Sequence, residues 1–116
     1  MDIYHGFFDL AEGVSDAEFA THLATYLDHL KAGGKIEDWR LMRRKLGLAP
    51  GALRDFHLMI EVSGLAQLDA AFAEVSSRAG VVEDIHHAVN SRVANAFFAL
   101  YRDFPDATRR YGEERF

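Results

Sequence analysis

The residues best suited to chemistry are two histidines in short segments that are typical of strands, the aromatic-rich IYHGFFDL and the alternating DFHLMIEVSG. The first segment contains His5 and Asp9, and the second contains His57 and Glu61. A histidine side chain titrates near about pH 6.5, so a neighbouring carboxylate can tune it for general base catalysis. We therefore predict His5 and His57 as catalytic residues, with Asp9 and Glu61 binding a substrate beside them.

Other roles for these four side chains stay open. They could hydrogen-bond one another, or water, across a subunit interface without taking part in catalysis. Two histidines and a carboxylate could also hold a metal ion with open coordination positions. The sequence contains no H-E-x-x-H zinc motif, no phosphate-binding loop and no G-x-S-x-G nucleophile motif. We therefore expect no metal and no cofactor, so that any chemistry is cofactor-free.

The segment WRLMRRKLG is rich in basic residues, and as a strand it places Arg40 on the same side as Met42. An arginine can bind a carboxylate or a phosphate through two parallel hydrogen bonds. We predict Arg40 as a third substrate-binding residue for this reason. The alternative is that the basic residues protect an edge strand from unwanted pairing. The adjacent histidines His86 and His87 point in different directions and cannot bind one ion together.

The composition indicates one globular domain. The chain has 116 residues, which suits a single domain, and it has no cysteine, which excludes disulfides. Its net charge of −5 disfavours binding to the negatively charged backbone of nucleic acid. The segment FHLMIEV also lacks the glycine and the leading basic residue of an RNA-recognition motif. We find no apolar run long enough for a membrane span and no basic start of a signal peptide. We expect a cytoplasmic protein with a domain over residues 1–104 and a polar tail over 105–116.

Apolar periodicity and turn residues predict the order strand, helix, strand, strand, helix, strand. Ser15 and Glu18 form a capping box, so the first helix should begin near Asp16 and end at Gly33 and Gly34. The other elements are predicted over residues 3–10, 36–47, 55–64, 65–80 and 93–104, with 83–90 as a candidate extra helix. This order is typical of a ferredoxin-like α+β fold, in which both helices cover one face of an antiparallel sheet.

Both faces of the predicted sheet are apolar. The first strand carries Tyr4 and Phe8 on one side and Ile3 and Phe7 on the other. The helices can cover only one face, and a bare apolar face of this size is unusual for a monomer. We therefore predict a homodimer that packs sheet against sheet as a dimeric α/β barrel. The two histidines and two carboxylates predicted above then face the barrel.

The order of elements, with IYHGFFDL, FHLMIEV and FFALYRDF as strands, resembles the dimeric α/β-barrel superfamily of ferredoxin-like proteins. This group includes antibiotic-biosynthesis-type monooxygenases, EthD-like proteins and NIPSNAP-like proteins, and the chain is most similar to its uncharacterised bacterial families. The resemblance covers roughly residues 3–104 and is one of topology. It implies a homodimer that holds a small molecule between sheet and helices or inside the barrel. Haem-degrading members use an asparagine on the first strand, which this chain lacks.

Two functions are compatible with these observations. The first is a homodimeric barrel that binds or transforms a small metabolite, with a histidine as the base and Arg40 as the anchor for an anion. The second is a structural or interaction dimer without catalysis, in which polar strand residues fix how the subunits pair. A cavity to which His5 or His57 is open would favour the first function.

Overall fold

The computed structural model describes residues 1–76 and 86–105. Its strands are β1 (Asp2–Leu10), β2 (Asp38–Arg43), β3 (Phe56–Val62) and β4 (Val93–Arg102), and its helices are α1 (Asp16–Ala32) and α2 (Leu65–Ser76). This order confirms the prediction of an α+β ferredoxin-like arrangement. Among the described residues, no helix has the length and apolarity that crossing a membrane requires.

Three predictions fall partly outside the described residues. Within the candidate helix over 83–90, residues 86–90 are helical and the first three residues are not described. The end of the second predicted helix, from residue 77 to 80, and the polar tail from residue 106 onwards are also outside the described part of the chain. The division into a domain and a tail therefore stays a prediction.

The sheet is antiparallel and has the strand order β2-β3-β1-β4, so β1 and β3 are the central strands. The register pairs Tyr4 with Ile60 and His5 with Met59. Because side chains alternate along a strand, the even-numbered residues of β1 and β3 point to the helices. The odd-numbered residues point to the opposite face, as the sequence predicted.

The core lies between the helices and the even-numbered side of the sheet. α1 contributes Phe19, Leu23 and Leu27, which are at most 1% exposed. They pack with sheet residues such as Phe8 and Val62. The spacing of four residues between these α1 side chains keeps them on one face of the helix, which is why the helix lies flat on the sheet.

The ends of α1 follow the predicted signals with two differences. The Ser15 hydroxyl accepts a hydrogen bond from the Glu18 backbone N–H at 3.3 Å, which is the expected N-cap. The Glu18 carboxylate does not reach back to the cap; it lies 3.5 Å from His22 and 3.4 Å from Arg92. At the other end only Gly34 has a positive φ, of 72°.

Two further sequence predictions were inaccurate in detail. The apolar spacing of Leu65, Leu68, Phe72 and Val75 predicts one buried stripe on α2. Leu65, the first residue of the helix, is however 63% exposed and Phe72 is 48% exposed, whereas Ala71 is buried.

β2 spans Asp38–Arg43 and is shorter than the predicted segment 36–47. Within that segment Leu46 and Gly47 have positive φ values of 57° and 66°, which an extended strand does not contain.

Candidate functional site

The two predicted catalytic histidines lie in direct contact at the centre of the sheet. His57 is opposite Phe7 in the register, and His5 is opposite Met59, so the two histidines are diagonal neighbours on β1 and β3. His5 Nδ1 lies 2.8 Å from His57 Nε2, which is a hydrogen-bond distance. One nitrogen must donate and the other accept, and the tautomers decide which does which.

Aromatic rings surround this pair. Phe7 stacks on the His57 ring at a centroid distance of 4.2 Å, and Tyr101 meets the His5 ring edge-on at 5.1 Å. Burial lowers the pKa of His5 below its ordinary value of 6.5. Burial, and then the proximity of His5, lower the pKa of His57 in the same way. Both rings are therefore mainly neutral at pH 7, as a general base must be before it takes a proton.

Asp9 does not join the histidine pair. A bulge between Phe7 and Asp9 shifts the register of β1 against β4, and Asn95 takes a positive φ of 56° there. The Asp9 carboxylate accepts hydrogen bonds from the Asp55 backbone N–H at 3.1 Å and from Asn95 Nδ2 at 3.2 Å. These hydrogen bonds, with the first one dominant, lower its pKa. Asp9 therefore stabilises the end of the sheet, and its role in binding a substrate stays a prediction.

Arg40 and Glu61 lie on the same face as the histidine pair. Arg40 is opposite Met59, and Glu61 is opposite both Ile3 and Asp38. Arg40 is exposed and Glu61 is half-buried. Within residues 1–76 and 86–105, neither side chain has a hydrogen-bond or ion-pair partner. Two opposite charges are thus available on this face for a ligand or for a second subunit.

We call this face of the sheet, which no described helix covers, the open sheet face. Phe97 and Tyr101 on β4 are 38% and 65% exposed there. The face is formed by Ile3, His5, Phe7, Asp38, Arg40, Met42, His57, Met59, Glu61, Phe97, Ala99 and Tyr101.

A cavity lies on the other side of the sheet, beneath the helices. It has a volume of about 210 Å³ and is partly open. None of the five predicted site residues lines it. Its walls are almost entirely apolar and consist of Tyr4, Phe8, Phe19, Leu23, Tyr26, Leu27, Leu30, Ile36, Leu58, Ile60, Leu68, Ala71, Phe72, Val75, His86, Val89, Asn90, Val93, Ala96 and Phe98.

The few polar groups of the cavity come from two elements. Tyr26 on α1 packs against His86 of the helical segment 86–90 at a centroid distance of 5.5 Å, and Asn90 lies one turn further along that segment. Burial, followed by the Glu74 carboxylate, raises the pKa of Tyr26 to about 12, so its hydroxyl stays protonated and can donate a hydrogen bond. Tyr26 follows the same helical spacing as the buried residues Leu23 and Leu30 of α1, and such spacing alone cannot separate a core position from a cavity wall.

The wall formed by the sheet depends on stacked aromatic rings. The Tyr4 ring stacks on Phe98 at 5.4 Å and meets the edge of Phe72 at the same centroid distance. Gly6 lies beside this stack, and a Cβ atom there would lie 3.3 Å from the Phe98 ring.

The described residues contain no group of three or more histidine, cysteine or acidic side chains placed to hold a metal ion.

Comparison with known structures confirms the ferredoxin-like fold. The chain is 18% identical to a dimeric ferredoxin-like protein of unknown function from Thermobifida fusca, with a TM-score of 0.60 over 87% of this chain and 90% of that one. It is 11% identical to SnoaB, a cofactor-independent oxygenase from Streptomyces nogalater, with a TM-score of 0.65 over 90% and 97% of the two chains. A Dabb family protein from Mesorhizobium loti is 15% identical, with a TM-score of 0.59 over 88% and 95%.

Sequence comparison adds a family without a known activity. A family described as "Family of unknown function (DUF6614)" matches residues 1–116. No curated protein matches the sequence.

Proposed function

We propose that this chain, which belongs to the family of unknown function DUF6614, is a homodimer that binds a small apolar molecule between the sheet and the helices of each subunit. The observation that carries this proposal is the cavity of about 210 Å³ with almost entirely apolar walls. Well-packed protein interiors contain few voids larger than a water molecule, so an opening of this size is suited to a ligand.

The size and the lining of the cavity limit the ligand. An apolar cavity of roughly 150 Å³ is sufficient for benzene, so about 210 Å³ suits a molecule with one or two rings. Apolar walls favour an apolar ligand, because a charged group would lose its hydration without compensation. Tyr26 and His86 offer hydrogen bonds at one side of the cavity. We therefore propose a ring compound that carries a hydroxyl or a carbonyl group.

The open sheet face supports the homodimer. Phe7, Phe97 and Tyr101 form an aromatic group on this face that no described helix covers. Contiguous apolar surface of this kind marks an interaction site in most proteins. The Thermobifida fusca neighbour is described as dimeric, which agrees with the proposal. In a symmetric dimer formed through this face, the interface would contain Arg40 and Glu61 of both subunits.

Calorimetric titration with 1-naphthol and with naphthalene tests the ligand proposal. We expect both compounds to bind, and the Tyr26→Phe variant to bind 1-naphthol more weakly while its affinity for naphthalene is unchanged. A Tyr101→Phe variant, altered on the open sheet face, is the matched control and should bind both compounds as the wild type does. Absence of binding by the wild type at millimolar ligand, or equal losses in the two variants, would overturn the proposal.

One observation favours a second candidate function. The His5–His57 hydrogen bond is an arrangement that can accept and release a proton, and Arg40 on the same face can bind an anion. This function would be cofactor-free acid–base chemistry at the open sheet face. NMR shift changes on addition of carboxylated aromatic compounds distinguish the two sites: changes at His57 and Met59 support this candidate, and changes at Leu58 and Ile60 support the cavity.

A further inference from the structure

Only some protonation states of His5 and His57 preserve the hydrogen bond between the two rings. At 2.8 Å the two nitrogens need one hydrogen and one lone pair between them. Two neutral rings satisfy this requirement, and so does one neutral ring with one charged ring. Protonation of both rings places two N–H groups and two positive charges against each other. The contact is then lost.

The charged groups of β1 and β2 around the pair do not compensate for that charge. On β2, Arg40 adds a further positive charge, and the Asp38 carboxylate is bound by Lys31 at 3.2 Å. On β1, the Asp9 carboxylate accepts hydrogen bonds from the Asp55 backbone N–H and from Asn95 Nδ2.

On the other two strands, Glu61 of β3 and Tyr101 of β4 are the titratable neighbours. Tyr101 contacts the His5 ring edge-on. Among the described residues, no carboxylate forms an ion pair with either histidine.

We infer that the His5–His57 pair makes the homodimer dissociate on mild acidification, because both rings lie on the open sheet face, which the second subunit would cover. This inference rests on the proposed homodimer. In a symmetric dimer each subunit contributes one pair to the interface, so protonation of both pairs would add up to four positive charges to the covered surface.

The sign follows from proton binding. Burial lowers the pKa of both histidines already in the single chain, and a second subunit on the open sheet face would bury the rings further. The dimer would therefore bind fewer protons than the free subunit. Acidification therefore favours the state in which the rings are exposed. The dimer keeps its full stability above about pH 6.5, the ordinary pKa of histidine. It loses stability as the pH falls below the pKa of the pair in the free subunit, which burial holds under 6.5.

Sedimentation velocity of the full chain at pH 8.0, 7.0, 6.0 and 5.2, at constant ionic strength, tests the inference. We expect the wild type to sediment at about twice its mass of 13.0 kDa at neutral pH. Its dissociation constant should rise by about tenfold or more between pH 7.0 and 5.2, as proton uptake on dissociation requires. The His57→Gln variant keeps a polar side chain that does not titrate, and its dissociation constant should change by less than about threefold over the same range.

The controls separate this inference from the homodimer itself. His87→Gln alters an exposed histidine outside the pair and should respond to pH as the wild type does. A monomer at every pH overturns the homodimer, whereas a dimer at every pH overturns only the pH dependence. The pH dependence is also overturned if the dissociation constants of the wild type and of His57→Gln change equally with pH. It is overturned as well if circular dichroism shows that the wild type unfolds at a higher pH than the one at which the dimer dissociates. If His57→Gln does not dimerise, His5→Gln replaces it.

Discussion

Filling the cavity beneath the helices with a larger side chain tests directly whether that space is empty. Ala71 on α2 lines the cavity and is 5% exposed. Replacing it with leucine adds three carbon atoms directed into the cavity that Ala71 lines. If the space is empty, these atoms gain contacts with the cavity walls and leave water. If the space is already filled, the same atoms must push the neighbouring side chains apart.

The expected gain in stability follows from the buried carbons. Each buried methylene contributes roughly 0.8 kcal/mol, so three would contribute at most about 2.4 kcal/mol. Leucine is a slightly weaker helix former than alanine, and the cavity is partly open, so both effects reduce the gain. We expect Ala71→Leu to raise the free energy of unfolding by about 1 to 2 kcal/mol. The same variant should lose most of its affinity for 1-naphthol.

Urea unfolding at pH 7.5 measures this change. Ala66→Leu is the matched control, because it makes the same substitution on an exposed position of the same helix. We expect the control to stay within about 0.5 kcal/mol of the wild type and to bind 1-naphthol normally. A loss of more than about 1 kcal/mol in Ala71→Leu indicates overpacking and would refute the cavity.

Three further outcomes are expected from the structure. Ser15→Ala removes the side-chain acceptor of the α1 N-cap and should lower the free energy of unfolding by about 1 kcal/mol in urea. Gly34→Ala places a side chain at a φ of 72° and should cost about 1 kcal/mol, whereas Gly33→Ala, at a φ of −80°, should cost less; equal losses would contradict this reasoning. The pKa of Asp9 is lowered, so its contribution to stability is present above about pH 4 and is lost as the pH falls further. Asp9→Asn should therefore flatten the acid limb of a stability curve measured by thermal unfolding.

The sequence determined which residues share a face of the sheet. Because side chains alternate with a period of two along a strand, His5 and His57 had to lie on the side opposite Phe8 and Phe56 once both segments were strands. The same rule placed Arg40 beside them. Apolar spacing and the Ser15 cap likewise set the start of α1 without any long-range information.

Only the tertiary structure decided which of these residues meet. Contact between His5 and His57 depends on the pairing register of β1 with β3, which packing between distant segments fixes. The bulge near Asp9 directs that carboxylate to Asn95, and no local pattern in the sequence marks it. The cavity depends on the distance between α1, the helical segment 86–90 and the sheet, which is set by how whole surfaces pack and not by the type of any one residue.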